Sequence, residues 1–596
     1  MVKFHSLAAY YALASVLTNP LTTADSTGNY LWKRAEDNEA NTYARVIQLQ
    51  HAGHQNGKLL ATWEHVYTES ATNATPNGTV GSFIIRESNS NGLDWTTLST
   101  VNGSQTNPSD PDTTFWQPFF FEFPRQLGKY PAGTLLLVGN ISPAELNTTF
   151  YTWRSSDHGR TWDLVGPWQT GIQTANGYRG IWEPFLYLDP EDNLVAVFSD
   201  ERDPDHSQML VQVTSSDGGD NWSNVTWAVA SPDPSERPGM ASVARMDNGE
   251  YIMAYEFCQF PDGHDICKVH TKTSSDGVTW NAGDMGVNVT TEDGLFAAAS
   301  PNIIWDERQK QLLLASHFTW DVANMQSGKG YPEGAYPPMN NRIVYVNTNL
   351  GEGDWAWAPA PWSISNISTN SPVQTCAYGY SPYLNAQADG SIRLTAPSSQ
   401  DASGPCSERT GAVSSIGALP YTADFTAEGQ AGWIDLTGNW SVAGKEYGFE
   451  NADTQPSLAI TGSSEWSDYE ISSAVQVVGD DGAAGVYARV TASTTGINWI
   501  NGYRAEISAR TGKLSIALQT DTVTTLAEQE YPWGITQGYW YHLSLLVKGD
   551  RIVARVSGFL GLDFIVESRD SSLSHGMGGL YGYDGSATFR DVEIRD

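Results

Sequence analysis

A chain of 596 residues is too long for a single hydrophobic core, so two or more domains are expected. A formal net charge of -34 argues against nucleic acid and anionic membrane surfaces as partners, since both call for basic patches. Only 17% of residues are charged, against 22 Trp, 27 Tyr and 56 Gly, which suits an all-β, turn-rich, secreted protein rather than a helical one.

The chain begins with Lys3, an apolar run from about Leu7 to Leu17 and then small and polar residues, the pattern of a secretory signal peptide ending near Ala24. The run is too short to span a bilayer. Lys33-Arg34 follows, either a dibasic processing site, which makes residues 25–34 a candidate propeptide, or an ordinary exposed pair. Ten Asn-x-Ser/Thr sequons agree with secretion: Asn73, Asn77, Asn102, Asn140, Asn147, Asn221, Asn224, Asn288, Asn366 and Asn439. The four cysteines suit an oxidising compartment, and the pairs Cys258–Cys267 and Cys376–Cys406 each close a local loop. A metal site is disfavoured, because paired C-x-x-C spacing is absent. No cofactor is expected.

From about residue 40 the chain repeats. Ser155-Ser156-Asp157-His158-Gly159-Arg160-Thr161-Trp162 has the form S-x-D-x-G-x-T-W. Ser215–Trp222 matches it with Asn221 in place of Thr, and Ser274–Trp280 matches with one residue deleted. Weaker copies end at Trp95 and Trp355. In each, Asp can cap the turn amides, Gly takes the positive φ and Trp folds back onto the sheet. A second frame recurs in step: Trp116-Gln117-Pro118, Trp182-Glu183-Pro184, Arg237-Pro238, Ser300-Pro301 and Ser381-Pro382 each open an apolar strand. The first unit lacks the proline and starts at Tyr43-Ala44-Arg45. A residue before proline is pushed into extended backbone, so Glu183 is expected at an extended strand entry.

The S-x-D-x-G-x-T-W frames resemble the Asp boxes of the sialidase superfamily. That resemblance implies a six-bladed β-propeller over residues 35–421, each blade a four-stranded sheet. From about Thr422 both frames stop, and strand-like runs such as Tyr469–Val478, Lys513–Gln519 and Trp540–Val547 alternate with polar turns. The closing Gly579-Leu580-Tyr581-Gly582-Tyr583 stretch resembles concanavalin-like, laminin-G-type jelly rolls, so residues 422–596 read as an antiparallel β-sandwich. Either it binds sugar, with Trp499, Tyr503 and Trp540 as candidate platforms, or it is a structural appendage. With its own core, the propeller is expected to keep activity on short substrates without it.

Blade geometry selects among the 67 acidic residues. Glu183 lies at the start of a first strand and Glu256 at the end of a second, on one face of neighbouring blades. Glu64 and Glu201 hold the equivalent return position and are rival carboxylates or substrate-binding groups. Two carboxylates over a pocket suit glycoside hydrolysis, one as acid and the other as nucleophile or base. Glu183 in Trp-Glu-Pro and Glu256 in Tyr-Glu resemble the acid/base and nucleophile of glycoside hydrolase family 93. These are fungal exo-arabinanases that release arabinobiose with retention. The resemblance implies that Tyr380 assists the nucleophile. Trp116, Gln117, Trp182 and Tyr255, beside the strand entries and returns, are candidate substrate contacts together with Glu64 and Glu201. Arg45 and Arg237 sit at inner-strand starts and either contact substrate, hold a carboxylate or form structural ion pairs. The expected partner is arabinan, and the protein is expected to be a monomer. Two alternatives stay open. A sialidase would use Arg45, Arg202 or Arg237, Arg342, Tyr380 and Glu183, although its Arg-Ile-Pro entry is absent. A carbohydrate-binding propeller would bind sugar without turnover.

Overall fold

The computed structural model describes residues 28–33, 39–68, 79–102, 113–143, 148–174, 177–258, 267–321, 339–364, 379–398, 407–426, 428–449, 456–479, 481–492, 500–558 and 561–596. The signal-peptide segment, Arg34, Cys376, Cys406, Trp499 and four sequons (Asn73, Asn77, Asn147 and Asn366) lie outside them.

Strands build nearly all of the regular structure, in six antiparallel blades followed by two large sheets. The first strands of the blades are Glu39–Gln48, Thr113–Glu122, Ile181–Leu188, Arg237–Arg245, Asn302–Asp306 and Tyr383–Ala386. Each pairs with the strand that follows it, as Ile181 does with Asp200 and Arg237 with Cys258. Blade four is widened by Leu295–Ala298 and Phe318–Asp321. Asn29–Trp32 pairs with Ser407–Val413 as the outer strand of blade six. These residues were assigned to a candidate propeptide, with the propeller starting at residue 35. The fold instead uses them to close the ring.

The repeated turn joins the third and fourth strands of its blade. Ser155 Oγ accepts the Gly159 N–H at 2.8 Å, and Asp157 Oδ1 accepts the Thr161 N–H at 2.9 Å. The Trp162 indole then donates to the Gly159 carbonyl at 3.1 Å. Trp95 and Trp280 repeat that last bond at the same length. Third strands run away from the face on which second strands end, so these turns lie on the opposite side from Glu183 and Glu256.

The pre-proline frame differs from expectation. Glu183 is not extended: its φ is 57°, in the left-handed region. The same holds for Tyr43, Gln117, Met240, Ser300 and Ser381, one per blade. In the first four blades the ladder shifts register at this point, between Thr42 and Arg45, Trp116 and Phe119, Trp182 and Phe185, and Gly239 and Ser242. Each is a β-bulge, in which one extra residue bends the strand and re-aims a side chain. In blade four the equivalent residue is Met240, followed by Ala241, so Arg237-Pro238 stands outside the true frame. Such backbone states cost on the order of 1–3 kcal/mol each and collect where function requires them.

The second domain is a sandwich of two antiparallel sheets. One sheet follows the order Ile434–Thr437, Ser457–Thr461, Met577–Tyr583, Ala483–Ala492, Ile500–Ser508, Lys513–Gln519, Val523–Glu530. Its residues alternate with period two. Ala459, Val486 and Ala488 face the sandwich core, while Leu458, Ile460 and Tyr487 pack with Trp305, Leu312, Tyr345 and Trp355 of the propeller. The sheet is therefore buried on both faces, and the sandwich is not a loosely tethered appendage. Tyr503, offered as a sugar platform, is fully buried and donates to Asp570 Oδ1 at 2.6 Å, while Trp540 is partly covered and has the Arg590 guanidinium stacked on it at 4.0 Å.

Candidate active site

The bulges explain how a ring of polar groups assembles around the propeller axis. The residue before each bulge pairs with a second-strand residue: Thr42 with Glu64, Trp116 with Asn140, Trp182 with Ser199, and Gly239 with Glu256. The second-strand side chain then holds a bulge amide of the next blade. Glu64 Oε1 accepts Gln117 N–H at 2.8 Å, Ser199 Oγ accepts Met240 N–H at 3.2 Å, and Glu256 Oε2 accepts Ser300 N–H at 2.9 Å. Between blades two and three the Gln117 side chain serves, accepting Glu183 N–H at 3.0 Å. Glu64 and Glu256 thus occupy one structural position, three blades apart.

Glu183 sits in this ring with Ser199 Oγ donating to its Oε2 at 2.6 Å and Gln117 Nε2 near its Oε1 at 3.4 Å. A Cβ on Gly239 would stand 3.4 Å from the same serine hydroxyl and 3.5 Å from Glu256 Oε1. Laid end to end, these distances put an oxygen of Glu183 no farther from one of Glu256 than the roughly 9.5 Å outer limit of two-carboxylate glycosidases. The bare Gly239 leaves room for the Gln208 amide, whose Nε2 lies 2.6 Å from where a Cβ would stand. Burial pushes the Glu183 carboxyl up to about 8, helped by the charges of Glu256 and Glu201 and opposed by the Ser199 hydrogen bond. Burial thus biases Glu183 toward its protonated form, whereas Glu256 accepts the Ser300 backbone N–H.

The other candidates divide. Gln117 and Glu64 belong to the network, and Glu64 also accepts from Thr42 Oγ1 at 2.6 Å. Burial raises the Glu64 carboxyl too. Trp116 and Trp182 flank their bulges, partly exposed. A Cβ on Gly180 would lie 2.5 Å from the Trp182 ring, so only glycine lets the indole lie there. Glu201 accepts Gly180 N–H at 3.0 Å and pairs with Arg237 at 2.5 Å, and both side chains are partly exposed. Arg45 is turned into the protein, stacked 3.8 Å from the Tyr43 ring centre and donating to Ser381 Oγ at 2.9 Å, where it ties blade one to blade six. Tyr255 faces the blade interior, fully buried, with its hydroxyl on the Met285 carbonyl at 2.5 Å. Strand alternation dictates this, because Glu256 points to the axis. The Tyr380 hydroxyl lies 3.9 Å from Met240 Sδ, and burial beside Glu183, Glu64 and Glu256 keeps it protonated.

Asn140, Ser199, Met240, Ser300 and Gly239 are site residues that the sequence reading missed. Their signal is positional, one residue per blade at the bulge and one opposite it. Asn140 lies in a sequon, yet it is fully buried and donates to the Ile181 carbonyl at 2.7 Å, so the folded chain offers no glycosylation site there.

With this geometry in place, likeness to solved proteins becomes informative. An α-L-arabinanase of Penicillium chrysogenum, solved with arabinobiose, is 25% identical with a TM-score of 0.51, covering 65% of this chain and 97% of that one. The GH93 α-L-arabinofuranosidase of Fusarium graminearum, also with arabinobiose, is 25% identical with a TM-score of 0.50 over the same shares. The propeller resembles glycoside hydrolases of family 93. A family model described as a 3-keto-alpha-glucoside-1,2-lyase-like domain matches residues 423–595, the concanavalin-like sandwich that the family 93 likeness leaves uncovered. No curated protein matches the chain. The neighbours are glycosidases, and the two-carboxylate site of this glycosidase-like propeller has the groups such chemistry uses.

Proposed function

We propose that the protein is a secreted, retaining exo-glycoside hydrolase that acts on α-1,5-linked L-arabinan and releases arabinobiose. The observation that carries the reading is the unequal carboxylate pair: Glu183 held protonated by burial, and Glu256 held by the Ser300 N–H on the next blade. Glu183 protonates the leaving oxygen while Glu256 attacks the anomeric carbon. Water then enters with Glu183 as base and releases product with retained configuration. The arabinobiose in the two neighbouring structures supports a sugar of this class as ligand.

The sialidase alternative fares worse, because its arginines are engaged elsewhere. Arg202 is clamped on Asp200 at 2.7 Å, Arg237 on Glu201, and Arg342 reaches the Asp435 carbonyl at 2.9 Å in the second domain. Product analysis on linear arabinan beside a sialoside separates the readings. Arabinobiose as first product supports this proposal, free sialic acid supports the sialidase, and tight binding without turnover supports a lectin.

A further inference from the structure

The Cys258–Cys267 disulfide is expected to tether the loop after Glu256, and its placement points further. Glu256 and Cys258 are two residues apart on one strand and so share its inner face. A carboxylate oxygen of Glu256 and both sulfurs lie within 4.8 Å of one another. Because the sulfurs are bonded to each other, this cluster holds no metal. The second route to Glu256 runs through the far cysteine. The Cys267 carbonyl accepts the Ala299 N–H at 2.7 Å. Ala299 and Ser300 are consecutive non-glycine residues in the left-handed region, with φ of 58° and 44°. The Ser300 N–H that this turn presents is the one that holds Glu256 Oε2 at 2.9 Å. The Ala299 carbonyl accepts His317 N–H at 2.9 Å, which anchors the turn on its other side.

We propose that the Cys258–Cys267 disulfide is a positioning element for the Glu256 carboxylate, fixing it from its own strand and through the Cys267–Ala299–Ser300 turn at once. A left-handed pair without glycine persists only where its surroundings hold it. Freeing Cys267 removes one of those holds, and the Ser300 N–H loses its aim. The inference rests on Glu256 acting as nucleophile. It makes activity sensitive to reduction: a dithiol delivers two electrons and two protons to the S–S bond, gives two cysteine thiols and is itself oxidised to a disulfide. The two cysteines are positioning groups, acting through Glu256.

The test compares the wild-type full chain, a Cys258→Ser/Cys267→Ser double variant and Glu256→Ala on linear arabinan, below the melting temperature of each. The expected result is a kcat lower by roughly 10- to 100-fold in the double variant with KM nearly unchanged, as for a misplaced reacting group. A Cys376→Ser/Cys406→Ser variant reduced under native conditions should lose kcat in parallel and regain it on reoxidation, with its far-ultraviolet dichroism constant. That arm decides the matter if the Cys258→Ser/Cys267→Ser variant fails to fold. A kcat within twofold of wild type after verified reduction overturns the disulfide's role, as does a loss carried entirely by KM. An inactive wild type, or a fully active Glu256→Ala, sinks the reading of the site instead.

Discussion

Glu408 is fully buried, and neither of its carboxylate oxygens has a hydrogen-bonding partner among the described residues. Burial pushes it up to about 8, with the charge of Glu64 adding to the shift and Arg45 opposing it. An unfolded chain releases this proton near 4.5, whereas the folded chain holds it to about 8. Its contribution to stability is therefore fully present below the lower value and is lost as pH rises through the upper one. Glu183 follows the same sign. Asp276 opposes them: against its partial desolvation, backbone and side-chain donors of its turn hold it at about 2, so its contribution is fully present above 3.8 and is lost as pH falls through about 2. Stability should peak on the acid side of neutrality. Glu408→Gln stays neutral at every pH, and should recover on the order of 2–4 kcal/mol of the stability that wild type loses between about pH 5 and pH 8. Chemical denaturation at both pH values checks this; equal losses in the two proteins would contradict it.

At the scale of the element, the bulge is the unit that builds the site, and Gly239 shows how little room it leaves. A Cβ there would stand 2.6 Å from Gln208 Nε2 as well as near Ser199 and Glu256. Gly239→Ala should lower kcat/KM by roughly 100-fold with a normal fold, since small misplacements of reacting groups cost about that much. Near-normal turnover would show that the ground between the carboxylates is not where sugar sits. The bulges also mark what the sequence made legible. The recurring Trp revealed the blades, because each turn is built from a capping polar side chain, a Gly and a Trp in order. The left-handed state of Glu183 was hidden, because proline after it argues for extended backbone and blades one and four carry alanine at that place. The misplacement of Tyr255 was avoidable from period two alone. For Arg45 and Arg237, open in the sequence between a substrate contact and an internal partner, the choice turns on Ser381 and Glu201, far away in sequence.

Across the whole molecule, the two domains share one apolar cluster. Leu458, Ile460, Tyr487, Val490 and Tyr581 of the sandwich cover Trp305, Tyr345 and Trp355 of blade five. Such a seam resembles a permanent interface more than a flexible junction. The sequence-based expectation that the propeller keeps its activity on short substrates without residues 422–596 therefore does not extend to its stability. The truncated chain should melt lower by roughly 5 °C or more and associate through the uncovered face. Calorimetry and size-exclusion chromatography read both effects. An unchanged melting temperature in a monomeric truncated chain would restore the independent-domain view.

The division of labour between Glu183 and Glu256 is tested most directly by azide with activated aryl arabinosides. In Glu256→Ala, turnover without azide should be abolished, and azide should yield a glycosyl azide of inverted configuration, because the external anion attacks from the vacated side. In Glu183→Ala, the first step should proceed with good leaving groups, and azide should yield the retained product by intercepting the covalent intermediate. Near-normal hydrolysis of arabinan by both variants, or the two configurations exchanged between them, would contradict the assignment.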